Sequence, residues 1–257
     1  MKGNLLRFVV YLFIIILIIV SFHSFSSTSL ASTDGSAHHR VTDIRDNTLA
    51  VSWTTIAETT GEIHYGTAPT NLDQVAYDTR GASFSDDIHY IKIQALNPET
   101  LYYFDIHSGG NIDNNNGNHY EVFTGPTLSI PPQVETSYGQ VFLSDGVTWV
   151  EYCIVYITLA DNDELGRPGK SSPMSSLIEK GEEGYWDTKL INARLTDLSD
   201  YFSYSSVSGD EVELEAQCGR DGAAAQSVDT DNTMPAPAMI LSEPVFTELY
   251  LPLTIKD

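Results

Sequence analysis

Hydrophobic and polar residues alternate along many short segments of the chain, so that every second residue is apolar. This period of two is the pattern of β-strands that bury one face. In the first half of the chain it predicts strands at 49–53, 61–66, 90–96, 102–106 and 119–124. In the second half it predicts strands at 138–142, 153–159, 184–190 and 211–216. Short, evenly spaced strands without a long helical period predict an all-β sandwich fold.

Segment 96–106 has the pattern of a turn followed by a strand. Pro98 fixes its own φ and ends the preceding strand, after which the apolar residues fall on one face. A Leu-x-Pro-x-Thr-x-Tyr run before an alternating strand is typical of the tyrosine corner of immunoglobulin-like sandwiches, whose tyrosine hydroxyl bonds the backbone of its own turn. The residues expected to have structural roles are Trp53 in the core, with Leu96, Pro98 and Tyr102 at the corner.

The N-terminus has the three parts of a secretory signal peptide. Lys2 and Arg7 are followed by the unbroken apolar run 8–20, and Ser29-Leu30-Ala31 offers small residues for cleavage. We therefore predict a signal peptide over 1–31 and an exported chain. The alternative is an uncleaved anchor, although the run is shorter than the roughly 17–25 residues of a spanning helix.

The remaining length suits two domains. Removal of 31 of the 257 residues leaves 226, which fits two domains of about 100 residues each. We predict two tandem immunoglobulin-like β-sandwiches. The predicted order after the signal is a linker over 32–40, a sandwich over 41–127, a Pro-containing linker over 128–136, a second sandwich over 137–241 and a tail over 242–257. We interpret the tail as docking onto the sandwich or as a sorting or retention signal.

The first predicted sandwich resembles fibronectin type III domains through Val51-Ser52-Trp53 and the tyrosine corner. It resembles still more closely the N-terminal sandwich of purple acid phosphatases, because Tyr65-Gly66-Thr67-Ala68-Pro69 and the closing Phe123-Thr124 match that family's pattern. The resemblance implies a non-catalytic sandwich. The family's metallophosphatase domain should begin after Pro132, and its metal-binding motifs are not found there.

One tripeptide, Gly117-Asn118-His119, spells the start of a metallophosphatase metal motif. The next residue is Tyr120 and not an acid, and the tripeptide lies in a predicted hairpin, where the Gly/Asn-rich tip 109–118 meets the strand 119–124. We interpret it as a turn, because Asn and Gly tolerate positive φ. The second predicted sandwich, from Tyr138 to Leu190, resembles the carboxypeptidase regulatory-like (transthyretin-like) fold.

The strongly acidic composition excludes some partners. The formal net charge is −22, and loss of Lys2 and Arg7 with the signal leaves 11 basic residues against 35 acidic ones, or −24. Nucleic acid is therefore not an expected partner, and neither is a membrane beyond the signal segment. The expected partner is a protein or a glycan at the cell surface. Such acidity also keeps an exported protein in solution.

Catalytic chemistry is not evident in the sequence. It has no Gly-x-Ser-x-Gly nucleophile turn and no phosphate-binding glycine loop. The pair His38-His39 falls in the predicted linker, and the acidic loop 161–164 could bind calcium but lacks the full spacing of a calcium-binding loop. We expect no catalytic residue, no cofactor and no metal ligand.

The two cysteines, Cys153 and Cys218, lie near strand ends of the same predicted sandwich. An exported chain meets an oxidising compartment, so they can form a disulfide. The alternative is two separately buried thiols, since the sequence does not show whether the strand ends meet.

These observations favour a non-catalytic, secreted or cell-surface protein that acts in adhesion, display or spacing. One alternative is a carbohydrate-binding accessory module, in which Tyr103, Trp149 or Trp186 would stack on sugar rings. Trp186 follows Tyr185, so one of the two must face outward. A further alternative is a metallophosphatase-related protein that lacks the catalytic domain.

Overall fold

The structure is a computed structural model, and it describes residues 39–129, 136–161, 169–205 and 209–242. The predicted signal peptide, most of both predicted linkers, most of the acidic loop 161–164 and nearly all of the tail lie outside the described residues. The elements are strands and four short 3-10 helices, which confirms the all-β class. In the described ranges, no helix is both long enough and apolar enough to span a bilayer.

The first lobe, residues 39–129, contains seven strands. They are β1 (Arg40–Thr42), β2 (Thr48–Gly66), β3 (Gln74–Tyr77), β4 (Ser85–Gln94), β5 (Leu101–Ser108), β6 (Asn111–Asp113) and β7 (Tyr120–Phe123). β1 and β4 flank the first half of β2, whereas β3 and β5 flank its second half; β6 and β7 both pair with β5. All of these pairs are antiparallel.

The prediction of two separate strands at 49–53 and 61–66 is wrong, because both belong to one strand of 19 residues, β2. The Thr-rich, β-branched stretch between them stays extended. The register with β4 shifts between Thr54 and Thr59, which marks a bulge or irregularity. Bulges bend a strand, and β2 thereby contributes to both layers of the first lobe.

The core of the first lobe lies between these two layers. Leu49, Val51 and Trp53 from the first half of β2 belong to the same buried cluster as Ile63 and Tyr65 from its second half. β4 and β5 contribute the other large residues. This arrangement is a sandwich, as the alternation predicted.

The second lobe comprises the described residues from 136 to 242. Its strands are β8 (Ser137–Phe142), β9 (Cys153–Ala160), β10 (Met174–Ile178), β11 (Tyr185–Thr188), β12 (Glu211–Gln217), β13 (Ala223–Asp229) and β14 (Met239–Ile240). One sheet has the order β10-β9-β12-β13 and the other β11-β8-β14. A single core containing Val141, Trp186, Val155, Ile157 and Leu214 lies between them, so this lobe is also a sandwich of two sheets.

Several short elements depart from the sequence-based prediction. Residues 109–118, predicted as a hairpin tip, include β6 and a 3-10 turn over Asn115–Gly117. The predicted strand 184–190 ends at Thr188, and a 3-10 turn follows it. Arg40, the last residue of the predicted linker 32–40, begins β1 and therefore belongs to the first lobe. The pattern missed β1, β3, β10, β13 and β14.

The two lobes pack together through the outward faces of two sheets. Ala50, Ile88 and Tyr90 of the first lobe form a buried cluster with Ile154 and Tyr156 of β9. β9 is therefore buried on both faces, which explains its nearly continuous apolar sequence. We call this contact the seam. The described residues all belong to one compact unit.

Candidate functional site

A cluster of titratable side chains lies on the outer face of the first lobe. In the antiparallel register of β2 with β5, Glu62 is opposite His107 and His64 is opposite Asp105. Because residues i and i+2 share a face of a strand, all four lie on the same side of the sheet. Ile63, between Glu62 and His64, and Ile106, between Asp105 and His107, are buried in the core. The four polar side chains therefore face away from the core.

Glu62 lies between the two imidazoles. Its Oε1 is 2.9 Å from Nε2 of His64 and 3.8 Å from Nδ1 of His107. The two rings stack with centroids 3.9 Å apart and planes within 4° of parallel. Each of the three residues can offer one donor atom, all within 4.8 Å of one another. All three are half-buried, and we call them the histidine cluster.

The surroundings favour a neutral imidazole at His107. Burial lowers the pKa of His107 below its ordinary value, and the nearby His64 lowers it further, whereas Glu62 and Asp105 act in the opposite direction. A neutral imidazole has a free nitrogen lone pair, which protonation would remove. The His107 imidazole can therefore act as a hydrogen-bonding or ligating group.

Gly117-Asn118-His119 lies in a turn beside this cluster. His119 has a positive φ of 59°, and its backbone N–H donates to the Asn114 carbonyl at 2.9 Å. Its ring Nδ1 lies 2.7 Å from Oδ1 of Asp105. His119 is thus tied to the edge of the face that carries the histidine cluster.

Tyr120, the next residue, also has an acidic neighbour. Its hydroxyl donates to Asp113, with both carboxylate oxygens 3.0 Å away. Burial and the adjacent Asp113 raise the pKa of Tyr120 to about 12. The tyrosine is therefore a hydrogen-bond donor at neutral pH.

The predicted structural residues occupy the corner and the core. The Tyr102 hydroxyl accepts a hydrogen bond from the Asn97 N–H at 2.9 Å. Trp53 is 1% exposed and its Nε1 donates to the Ser108 hydroxyl at 2.9 Å. Leu96 is buried, whereas Pro98 is exposed in the turn.

His89 stacks on Trp53 inside the first lobe, with ring centroids 4.8 Å apart. It lies over Gly61, where an added Cβ would be only 2.5 Å from its Nδ1. Its Nε2 is within 3.3 Å of the Thr55 and Thr59 hydroxyls. Burial lowers the pKa of His89 to about 4.

Cys153 and Cys218 form a disulfide in the core of the second lobe, with Cα atoms 4.2 Å apart. Both are buried. The bond joins the start of β9 to the residue that follows β12, the neighbouring strand in the sheet.

Three exposed aromatic residues, Tyr138, Trp149 and Tyr185, lie on the outer face of the β11-β8-β14 sheet. Trp149 and Tyr185 are 47% and 45% exposed, and their register partners Phe142 and Gln140 share one face of β8. Trp186 points the other way, into the core, where it packs over Gly139. We call Trp149, Tyr185 and Tyr138 the aromatic face. Tyr103 belongs to β5 of the first lobe and is therefore not part of the aromatic face.

A cavity of about 660 Å³ opens at the junction of the lobes. Arg40, Tyr156, Glu213, Glu215 and Gln226 are among the residues that line it. The Arg40 guanidinium donates to both carboxylate oxygens of Glu215 and lies 4.2 Å above the Tyr156 ring. Two charged residues of the lining, Arg40 and Glu215, are therefore paired with each other, and a third, Glu213, is paired with Lys170.

Sequence reasoning missed the histidine cluster. A local signal was present, since both Glu62-Ile63-His64 and Asp105-Ile106-His107 have an acid and a histidine flanking an isoleucine. Each motif places its two polar residues on one face of a strand. The register that brings the two motifs together depends on pairing between distant segments, which local patterns do not specify.

The first lobe matches a known family model. Residues 36–124 match the purple acid phosphatase N-terminal domain, which supports the resemblance of this lobe to a fibronectin type III-like sandwich. The match covers less than half of the chain. A search of curated proteins found no match to the chain. The resemblance of the second lobe to carboxypeptidase regulatory-like domains stays a prediction.

Two solved structures show a distant likeness to this chain. The FN1-FN3 domains of chicken CNTN1 are 12% identical, with 80% of this chain and 65% of that chain covered and a TM-score of 0.24. The Yersinia pseudotuberculosis adhesin InvE is 11% identical, with 77% and 61% covered and a TM-score of 0.22. The chain therefore spans less than two thirds of either structure. At these TM-scores the fold assignment comes from the sheets themselves and from the family match.

Proposed function

We propose that the protein is a non-catalytic module that works outside the cell, where it spaces or displays other surface components or adheres to them. The observation that carries the proposal is the seam, which fixes the two lobes against each other. Spacing and display need a body whose two lobes stay at a constant separation. The seam supports such a body, because it joins the two lobes through a buried cluster.

Polar contacts reinforce the apolar part of the seam. One carboxylate oxygen of Asp43 accepts from both the N–H and the hydroxyl of Ser175, at 3.0 and 2.8 Å. The Tyr90 and Thr42 hydroxyls also lie within 2.9 Å of the Ser175 hydroxyl. The Asp43 N–H donates to the Pro173 carbonyl. Ser175 therefore connects β10 to three residues of the first lobe.

A second set of contacts lies at another part of the same junction. The backbone N–H and the guanidinium of Arg220 both donate to Oδ2 of Asp87, at 2.8 and 3.0 Å. Arg220 also pairs with Glu58 on the exposed part of β2. Relative motion is the default for joined domains unless their interface is large and apolar. A shared buried cluster with directional bonds on both sides favours a rigid body.

Two observations support the absence of catalysis. The family match is to an N-terminal domain and not to a catalytic one. The region where a metallophosphatase domain would follow instead contains β8 to β14. A metallophosphatase-related protein without its catalytic domain remains compatible with both observations, and it would act through the same rigid body.

Pulsed electron paramagnetic resonance tests the rigidity. The spin labels are attached at two exposed positions, Ile112 of the first lobe and Val147 of the second. They are carried by non-canonical amino acids instead of cysteines, so that the native disulfide stays intact. We expect one narrow distance distribution. The double variant Asp43→Ala/Tyr90→Ala should broaden it, and Tyr77→Ala, an exposed aromatic outside the seam, should leave it unchanged. A broad distribution in the unmodified protein would contradict the rigid-spacer proposal.

Carbohydrate binding is the second candidate, and the aromatic face favours it. Exposed aromatic rings on one sheet face suit stacking on sugar rings, because tyrosine and tryptophan combine an apolar face with a polar edge. A glycan array probed with the exported chain tests it. Binding that Trp149→Ala and Tyr185→Ala abolish, and that Ile240→Ala on the same sheet preserves, would favour this function over spacing.

A further inference from the structure

We infer that Glu62, His64 and His107 form a binding site for a divalent transition-metal ion of the zinc class. The site lies on the outer face of the first lobe, remote in sequence from the aromatic face. This inference replaces the sequence-based expectation that the chain contains no metal ligand. It does not depend on the proposed spacing function.

The donor atoms have the chemistry that zinc prefers. Zinc sites combine histidine nitrogen with carboxylate oxygen, and open sites keep three protein ligands with water in the fourth position. Two imidazoles and one carboxylate form such a set, and the partial exposure of all three leaves room for water. Calcium and magnesium favour oxygen ligands only. The two imidazoles should therefore select against both of those ions.

The donor separations fit this geometry. Bonds of about 2.05 Å arranged as a tetrahedron place neighbouring ligand atoms about 3.3 Å apart. The separations between Glu62 Oε1 and the nearest nitrogens of His64 and His107 are 2.9 and 3.8 Å, on either side of that value. All three donor atoms lie within 4.8 Å of one another.

The strand register fixes the three residues on a rigid support. Glu62 and His64 project from β2, and His107 projects from β5 directly opposite Glu62. Ile63 and Ile106 anchor both strands in the core with 0% and 1% exposure. A site built on paired strands is more precise than one on a loop.

Binding requires the two rings to turn. In the structure they stack nearly parallel, so their nitrogen lone pairs do not converge on one point. Rotation about the side-chain bonds of His64 and His107 would separate the rings and direct one nitrogen of each toward the ion beside Glu62. Loss of the stacked arrangement is thus a signature of occupancy that does not depend on any activity.

Calorimetric titration of the full exported chain, stripped of metal with a chelator, tests the inference. We expect one Zn²⁺ per chain to bind, with Ca²⁺ and Mg²⁺ at least 100-fold weaker. His64→Ala and His107→Ala should each weaken Zn²⁺ binding at least 30-fold, and Glu62→Gln about 10-fold. Thermal melting of each variant establishes that it is folded.

Two control variants separate this site from general attraction of cations to an acidic protein. Glu121→Gln removes an exposed carboxylate from the same lobe and should leave Zn²⁺ affinity unchanged. His38→Ala removes an imidazole that lies outside the described residues and should also have no effect. Loss of Zn²⁺ binding in His38→Ala would overturn the inference, and so would unchanged Zn²⁺ binding in the double variant His64→Ala/His107→Ala.

Nuclear magnetic resonance of the unmodified protein provides a test that needs no variant. Stoichiometric Zn²⁺ should shift the ring signals of His64 and His107, because their stacking is lost and their nitrogens become bound. The ring signals of the buried His89 should not move. Unchanged His64 and His107 signals at saturating Zn²⁺ would refute the site even if the variants failed to fold.

Discussion

The hydroxyl oxygen of Tyr102 accepts a hydrogen bond from the backbone N–H of Asn97, 2.9 Å away. The Tyr102 ring is buried against the core, and its centroid lies 6.3 Å from that of Tyr65. A single side chain thereby ties β5 to the turn that precedes it. The Thr124 hydroxyl strengthens the same corner, because it donates to the Asn97 carbonyl.

Replacement of Tyr102 by Phe should lower the free energy of unfolding by about 0.5–1.5 kcal/mol, because it removes one hydrogen bond and leaves the ring in place. Chemical denaturation measures the change. Tyr103→Phe, at the adjacent position on the opposite face of β5, serves as the control and should have a smaller effect. An unchanged denaturation curve for Tyr102→Phe would argue against the structural role of the corner.

Trp53→Ala should lower the free energy of unfolding by about 3–5 kcal/mol, because it leaves a large cavity in the core of the first lobe. Ile56→Ala in the same strand is the matched control. Ile56 is 83% exposed, so its removal should change stability by less than about 0.5 kcal/mol. Similar losses from the two substitutions would contradict the inward orientation of Trp53.

His89 should make stability depend on pH between about 4 and 6.5. Its pKa is about 4 in the folded protein and 6.5 without the burial. As pH falls through this window, the unfolded chain binds a proton that the folded chain does not, so stability falls. The loss approaches about 3 kcal/mol by pH 4. Urea denaturation at several pH values should show this slope, and His89→Gln should reduce it. An equal slope in the variant would assign it to other groups.

The Cys153–Cys218 disulfide should be detectable in the unreduced, denatured protein as the absence of alkylatable thiols. Mass spectrometry after alkylation checks this directly. In the chain-entropy model, closing a loop of about 66 residues stabilises the protein by roughly 4 kcal/mol. Reduction should therefore lower the melting temperature clearly. Two alkylated cysteines in the unreduced protein would mean that the bond does not form.

The chain without its predicted signal peptide should not hydrolyse phosphate esters, whether iron, zinc or manganese is added. The histidine cluster is proposed to bind metal, but the region in which the family's catalytic domain would follow forms a second sandwich instead. A p-nitrophenyl phosphate assay measures turnover. Turnover above background that His119→Ala abolishes would revive the interpretation of Gly117-Asn118-His119 as part of a catalytic metal motif.

Local signals predicted the parts of the fold that depend on neighbours in sequence. The turn at Pro98 and the alternation after it predicted β5, and the apolar run 153–159 predicted β9 as a strand, although not its burial on both faces. The short strands β3, β6 and β14 carry too few residues to show a period. The pairing of Glu62 with His107, like the contact of Asp43 with Ser175, results from tertiary register, which single-sequence patterns do not specify.

β2 carries two features that would otherwise be independent. Its first half supplies Ala50 and Ser52 to the seam, and its second half supplies Glu62 and His64 to the histidine cluster. An insertion of one residue within either half would turn every following side chain to the opposite face. The exposed stretch between Thr54 and Thr59, where the register with β4 already shifts, is where a change in strand length could be absorbed. Evolutionary length variation in this strand should therefore be confined to that stretch.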